Sequence, residues 1–135
     1  MTWCAPRLHR RHVLLGGLCL CCLPSRGRAE AAWALTEIAE GIHIRRGLDE
    51  EVSVGNEDAI ANAGFILGQE AVLVTDPGGS LADGASLRAL IRQRTSLPIR
   101  YVVMSHVHPD HIFGAGAFQA DNPTFVGHAR LPQAL

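Results

Sequence analysis

The run His106-Val107-His108-Pro109-Asp110-His111 gathers three imidazoles and one carboxylate within six residues. Ordinary residue frequencies produce such a run by chance at well under ~1 in 100,000 positions. Neutral imidazole is a common zinc ligand, and an aspartate supplies a harder oxygen ligand. Side chains in an extended segment repeat every two residues, so His106 and His108 face one side and can bind one metal ion. Pro109 then bends the chain out of the strand. Asp110 and His111 fall at the start of the next helix and are directed elsewhere, towards a second metal. The chemistry such a site supports is hydrolysis. Zinc lowers the pKa of a bound water from about 16 to about 7, and two metals about 3.5–4 Å apart can polarise a carbonyl or phosphoryl oxygen. Asp110 is the candidate catalytic residue, because its carboxylate can also orient the attacking water.

These groups need a scaffold. Ile99 to Met104 is a β-rich, nearly continuous apolar run that ends at the motif, as expected for an inner strand covered on both faces. Upstream, Gly64-Phe65-Ile66-Leu67 and Ala71-Val72-Leu73-Val74-Thr75 read as a hairpin, with Gly68 supplying the turn. Asp76-Pro77-Gly78-Gly79 stops the second strand. Asp76 and His106 therefore stand at the C-terminal ends of strands, where α/β sheets place ligands. Asp76 is the candidate for a carboxylate behind the metal loop that fixes it in place; an Asx-turn beside Pro77 is the structural alternative. Ser80 is suited to cap a helix with Asp83 at N3. Leu87, Leu90 and Ile91 form its apolar stripe, Arg88, Arg92 and Arg94 lie off it, and Pro98 marks the exit. Ile42-His43-Ile44-Arg45 alternates as a half-buried strand does. Leu48 to Asn62 reads as an acidic, irregular surface loop. After the motif come a small-residue helix from Ile112 to Ala120, a turn at Asp121-Asn122-Pro123, a short strand at Phe125-Val126 and the start of a helix after His128. Gly114 is expected to let the backbone approach the sheet. Strands followed by alternating helix and strand give an α/β class.

Composition narrows the function further. The chain has 135 residues, enough for one modest domain, and is 47% hydrophobic and 19% charged, as globular proteins are. Five of its twelve arginines precede residue 29, and all thirteen acids follow from Glu30 on. The body is thus mildly acidic, which argues against nucleic-acid binding. All four cysteines precede residue 23, so the body has neither a disulfide framework nor a cysteine-based zinc site. Residues 1–32 read as a signal peptide: Arg7, Arg10 and Arg11 form a basic region, and Val13 to Leu23 an apolar run too short to span a bilayer. Arg10-Arg11 is compatible with twin-arginine export. The expected location is periplasmic or secreted, with no membrane span in the mature chain. The folded portion is taken as 33–135.

Ser105-His106-Val107-His108-Pro109-Asp110-His111-Ile112-Phe113-Gly114 resembles the (T/S)HxHxDHxxG signature of the metallo-β-lactamase superfamily. Asn62 to Leu67 is similar to an early strand of that family, and Ala71 to Gly79 to its Val-Ile-Asp-Pro-Gly segment, with Asp76 in the matching place. The acidic loop and the stretches from Asp76 to Gly84 and from Phe125 to Pro132 resemble most the quinoprotein relay system zinc metallohydrolases. The resemblance implies a zinc hydrolase acting on a small molecule, linked to a quinoprotein dehydrogenase system. His106 and His108 would hold a first zinc, Asp110 and His111 a second. It also implies an αββα sandwich, of which this chain would supply the N-terminal half, a mixed sheet with flanking helices. The family's third histidine for the first metal, bridging aspartate and last histidine lie further downstream, whereas only 24 residues follow His111. His128, the one later histidine, comes too early to match and reads as a pocket or structural residue. The expectation is a truncated domain that exposes an apolar sheet face, binds zinc weakly and hydrolyses little alone. Two other functions fit the short motif: an iron-dependent sulfur dioxygenase on the same fold, and a non-catalytic docking partner of a quinoprotein dehydrogenase.

Overall fold

A computed structural model of the chain describes residues 34–135. The expected signal peptide lies outside them. Among the described residues no helix is long and apolar enough to cross a membrane. Six strands form one sheet whose spatial order is the chain order: β1 (Leu35–Ala39), β2 (Ile42–Arg45), β3 (Ala63–Leu67), β4 (Val72–Thr75), β5 (Ile99–Val103) and β6 (Thr124–Val126). The first three pairings are antiparallel and the last two parallel. The parallel pair β4–β5 is joined through α1 (Leu81–Arg92). The pair β5–β6 is joined through α2 (Pro109–Ile112) and a 3₁₀ segment, Phe113–Asp121. A last short helix, α3, spans Leu131–Ala134. The α/β class and the mixed sheet with flanking helices are as the sequence implied.

The hairpin β3–β4 forms as expected, closed by the Gly68 N–H donating to the Ala71 carbonyl at 2.9 Å. The core lies between one sheet face and the helical layer. Phe65, Val72, Val74 and Val102 from the sheet meet Leu87 and Ile91 of α1 and Phe118 of the 3₁₀ segment, all buried. Burial of each such side chain contributes about 1.5–3 kcal/mol.

The other face of the sheet is open. Register places Ile42, Ile66, Leu73 and Tyr101 in one row across it, with Thr75, Val103 and Val126 in the next. Ile66, Tyr101 and Val126 are each about two-fifths exposed (39%, 45% and 40%). Two expectations change here. β5 is covered on one face only: Ile99 and Val102 are buried while Tyr101 is exposed, because among the described residues the helices pack on a single side. In β2 the polar residues are the buried ones. Arg45 is fully buried and His43 stacks on Phe65 at 4.7 Å between ring centroids, while both isoleucines face the open side.

The buried arginine is explained by its partner. Asp83, at N3 of α1 and equally buried, forms a two-oxygen ion pair with the Arg45 guanidinium, which also donates to the Ala61 carbonyl at 3.2 Å. Ser80 caps α1 by accepting from the Asp83 N–H at 3.0 Å. The return bond of a capping box does not form at Ser80; the Asp83 carboxylate accepts the Gly79 N–H instead, at 3.0 Å. Asp83 is therefore a junction between β2, the Gly78–Gly79 turn and α1. On the outer side of α1, Arg88 and Arg92 both reach Asp121, at 2.5 and 2.7 Å. The hydrogen bond from Arg88 chiefly holds the Asp121 carboxyl below its ordinary range.

The small-residue helix expected after the motif is a 3₁₀ helix over residues 113–121. Gly114 and Gly116 are poor α-helix formers, and Gly114 is pressed between two backbones. Its N–H donates to the Gly78 carbonyl at 2.7 Å, and a Cβ there would collide with the Pro77 carbonyl oxygen. A Cβ on Gly84 would likewise collide with the Gly114 carbonyl. Gly114 thus approaches the Asp76–Gly79 turn and α1, not the sheet. Asn122, in the left-handed region at φ 50°, ends the segment before Pro123.

Candidate metal centre

β4 and β5 run parallel, and both deliver their next residues to the same end of the sheet. Asp76 follows β4, with φ 48°. Its N–H donates to the Val103 carbonyl at 2.8 Å, which fixes the turn against β5. Its carboxylate accepts two hydrogen bonds from Ser105, the N–H at 2.8 Å and the hydroxyl at 2.9 Å. The Ser105 hydroxyl also lies 2.9 Å from His106 Nδ1. Asp76 therefore ties down the segment that carries the histidines. Ser105 is the intermediary; its place directly before the first histidine was visible in the sequence, but its bonding was not.

His108 is extended, at φ −64° and ψ 142°, and serves as N-cap of α2, with Pro109 in the first turn. Pro109 suits that position because its missing N–H would be unpaired there anyway. The His106 ring lies 4.6 Å from that of His108 and 4.1 Å from that of His111. His111 Nε2 is 3.4 Å from Asp110 Oδ2, and His111 Nδ1 is 3.1 Å from Asp76 Oδ2. That last contact is too poorly aligned for a hydrogen bond, so a buried ring nitrogen is left without one. All four motif residues come to one strand end. His111 does not turn away from His106 as the separate-metal expectation had it; its ring packs against the His106 ring. Among the described residues no three side chains converge closely enough to form a finished metal cage. The donor set, three imidazoles and a carboxylate with one buried nitrogen unsatisfied, is nonetheless the chemistry a zinc-class ion takes.

The acidic loop contributes a residue that sequence reasoning placed on a solvated face. Asp49, Glu50 and Glu51 are exposed as expected. Buried Asn56 instead organises the rest: its side chain accepts from the N–H groups of Ser53 and Asp58 and donates to the Glu51 carbonyl. Glu57 and Asp58 both take left-handed backbone, at φ 53° and 60°. The Glu57 carbonyl accepts from the Ser80 hydroxyl, which docks the loop on the start of α1. Asp58 then packs against Gly79, where a Cβ would come within 2.7 Å of its Oδ2. Partial burial, with the charges of Asp110 and Asp83 nearby, raises the Asp58 carboxyl above its ordinary range. Short acidic loops carry no sequence signal for such a placement.

The sequence profile of the metallo-beta-lactamase superfamily matches residues 57–129, more than half of the chain and all of this site. The chain belongs to the metallo-beta-lactamase superfamily. A linear primary-alkylsulfatase from a Pseudomonas strain is 32% identical over 62 residues, which is 46% of this chain and 12% of that protein. Among solved structures, a metallo beta lactamase from Hirschia baltica superposes with a TM-score of 0.61 at 16% identity, over 75% of this chain and 45% of that one. A structure of TMB-1, described in terms of substrate and inhibitor binding, gives 0.61 at 17% identity, over 76% and 45%. This metallo-beta-lactamase superfamily chain thus spans under half the length of those structures and about an eighth of the alkylsulfatase. At such identities the structures establish the fold alone.

Proposed function

We propose that the chain carries the first metal-ligating segment of a zinc-dependent hydrolase acting on a small molecule. The observation that carries this reading is the gathering of His106, His108 and His111 at one strand end with a buried His111 nitrogen left without an aligned partner. Zinc bound there would lower the pKa of a water to about 7 and polarise the oxygen of the substrate. His106, His108, Asp110 and His111 would hold the ions, two being expected in a complete domain. Ser105 and Asp76 orient the His106 ring through the Nδ1 contact, which leaves Nε2 available as the ligating atom. Asp110, whose Oδ2 lies 3.4 Å from His111 Nε2, would orient the attacking water as well as hold an ion. Export to the periplasm and service to a quinoprotein dehydrogenase system extend the reading; the first rests on the basic and apolar leader read in the sequence, the second on the sequence resemblance.

The test is metal analysis and calorimetric zinc titration of the 135-residue chain beside its His108→Ala variant, followed by hydrolysis assays on sulfate, phosphate and acyl esters. Weak zinc uptake lost in His108→Ala, with at most slow turnover by the chain alone, is the expected result. Iron in place of zinc would favour an oxidoreductase. Equal zinc uptake by the variant would remove the motif from the metal site.

A further inference from the structure

His106, at the start of the histidine run, lines one side of a cavity of about 490 Å³. Ser105, His106 and Val107 line it on the motif side, and His128, Arg130 and Leu131 on the other. The walls differ in character. Val107 and Leu131 are apolar, whereas Arg130 brings a permanent positive charge. Among the described residues the Arg130 guanidinium has no carboxylate partner, although Arg88 and Arg92 share one and Arg45 has another. His128 is fixed in its tautomer. Its Nδ1 accepts the Arg130 backbone N–H at 3.2 Å, so the ring proton sits on Nε2 and that nitrogen is a donor. Arg130 and His128 therefore line a largely apolar cavity that His106 also lines.

We infer that this cavity seats a substrate with an aliphatic body and an oxyanion remote from the bond that reacts. Arg130 and the His128 Nε2–H hold the oxyanion, and the aliphatic body lies along Val107 and Leu131. The reacting bond then falls beside His106. The inference rests on the hydrolase reading only for what happens at the His106 end; selective anion binding at the other end needs no metal. Arg130 is on this assignment a specificity-determining residue. An arginine–carboxylate contact at an exposed position such as Arg130 is worth up to about fivefold in affinity.

The test uses the full chain kept metal-free by chelator, with octanoate, octanol and octylammonium as probes. Calorimetry should show octanoate binding up to about fivefold more tightly than either of the others, and NMR should show the His128 ring and Ala134 methyl signals moving with it. Arg130→Ala should abolish the preference and leave octanol binding as it was, and Arg130→Lys should restore part of it. Arg130 is exposed, so the fold should survive both substitutions, and an unchanged far-ultraviolet spectrum checks this. Equal affinity for the three probes, no octanoate binding, or a preference that persists in Arg130→Ala would overturn the assignment. His108→Ala separates the two readings. Octanoate selectivity retained in that variant supports the cavity whatever zinc does, and selectivity lost with His108 would mean that octanoate binds at the motif itself.

Discussion

Two aspartates flank the turn between β4 and α1, and they live in opposite circumstances. Asp83 is buried, with its charge matched by Arg45 and a further bond from the Gly79 N–H. Asp76, seven residues earlier, accepts two bonds from Ser105 but leaves the adjacent His111 nitrogen without an aligned partner. The scaffold side of the turn is saturated and the motif side is left short. A buried charge kept for stability must have its partners, because removing one strands the other in a low-dielectric environment. A group kept for ligation must retain an unused lone pair. The same eight residues supply both, so the histidine cluster is held by a junction that does no chemistry.

That contrast can be broken at either end. The largest effect should follow Asp83→Ala, which removes the carboxylate that α1 offers to the buried Arg45 and the acceptor for the Gly79 N–H. Denaturant titration should show a loss of about 3–5 kcal/mol. The double variant Arg45→Met/Asp83→Leu should recover most of it. A loss under 1 kcal/mol in the single variant would mean that the pair is not the junction described. Gly114→Ala should cost about 1–3 kcal/mol through overpacking against the Pro77 carbonyl, and crystallography of the variant should find the Asp76–Gly79 turn displaced. Asp76→Asn should divide the other way. Folding stability should fall by about 1 kcal/mol, the worth of one weakened hydrogen bond, while zinc affinity falls about 10–100-fold. A stability loss matching that of Asp83→Ala, with zinc affinity intact, would erase the distinction between the two carboxylates.

The smallest effect belongs to the outer cluster. Arg88→Ala should cost about 1 kcal/mol, since Arg92 still holds Asp121 and both arginines are about a third exposed. The folded Asp121 carboxyl lies below its unfolded value, so its contribution is complete above the ordinary carboxylate range. It is lost as pH falls through the lower folded value. Asp58 carries the opposite sign. Its folded carboxyl lies above the unfolded value, so the fold gains from its protonation as pH falls from that raised value to the ordinary one. Side-chain carbon NMR titration should place Asp58 above Asp121. The reverse order would contradict both environments.

Much of this architecture was legible because local rules and tertiary demands agreed. The β3–β4 hairpin, the Ser80 cap and the strand entering the histidine motif all follow from residue type and spacing. The motif named the superfamily because four ligand-type residues within a six-residue run need no long-range information. What was not legible depended on a partner distant in sequence. Nothing near Arg45 announces Asp83, so β2 was read by its alternation and the polar residues proved to be the buried ones. The helix after the motif was read from small residues, but contact with the Pro77 and Gly78 backbone set its geometry. Asp58 reaches the motif side only because Asn56 folds the acidic loop and Ser80 fastens it.

The sheet has one further property, and it concerns time. Its spatial order repeats the order of synthesis, so each strand pairs with the one made just before it. Contacts of short sequence separation close at small entropic cost, and such topologies assemble quickly. The chain can therefore lay down its sheet from one edge to the other as it emerges from the ribosome, with α1 sealing the first face before β5 arrives. Arrest of translation past residue 125 should leave amide protons of β3 and β4 already shielded from exchange. The histidine motif, made last among these parts, would arrive at a surface already built to receive it.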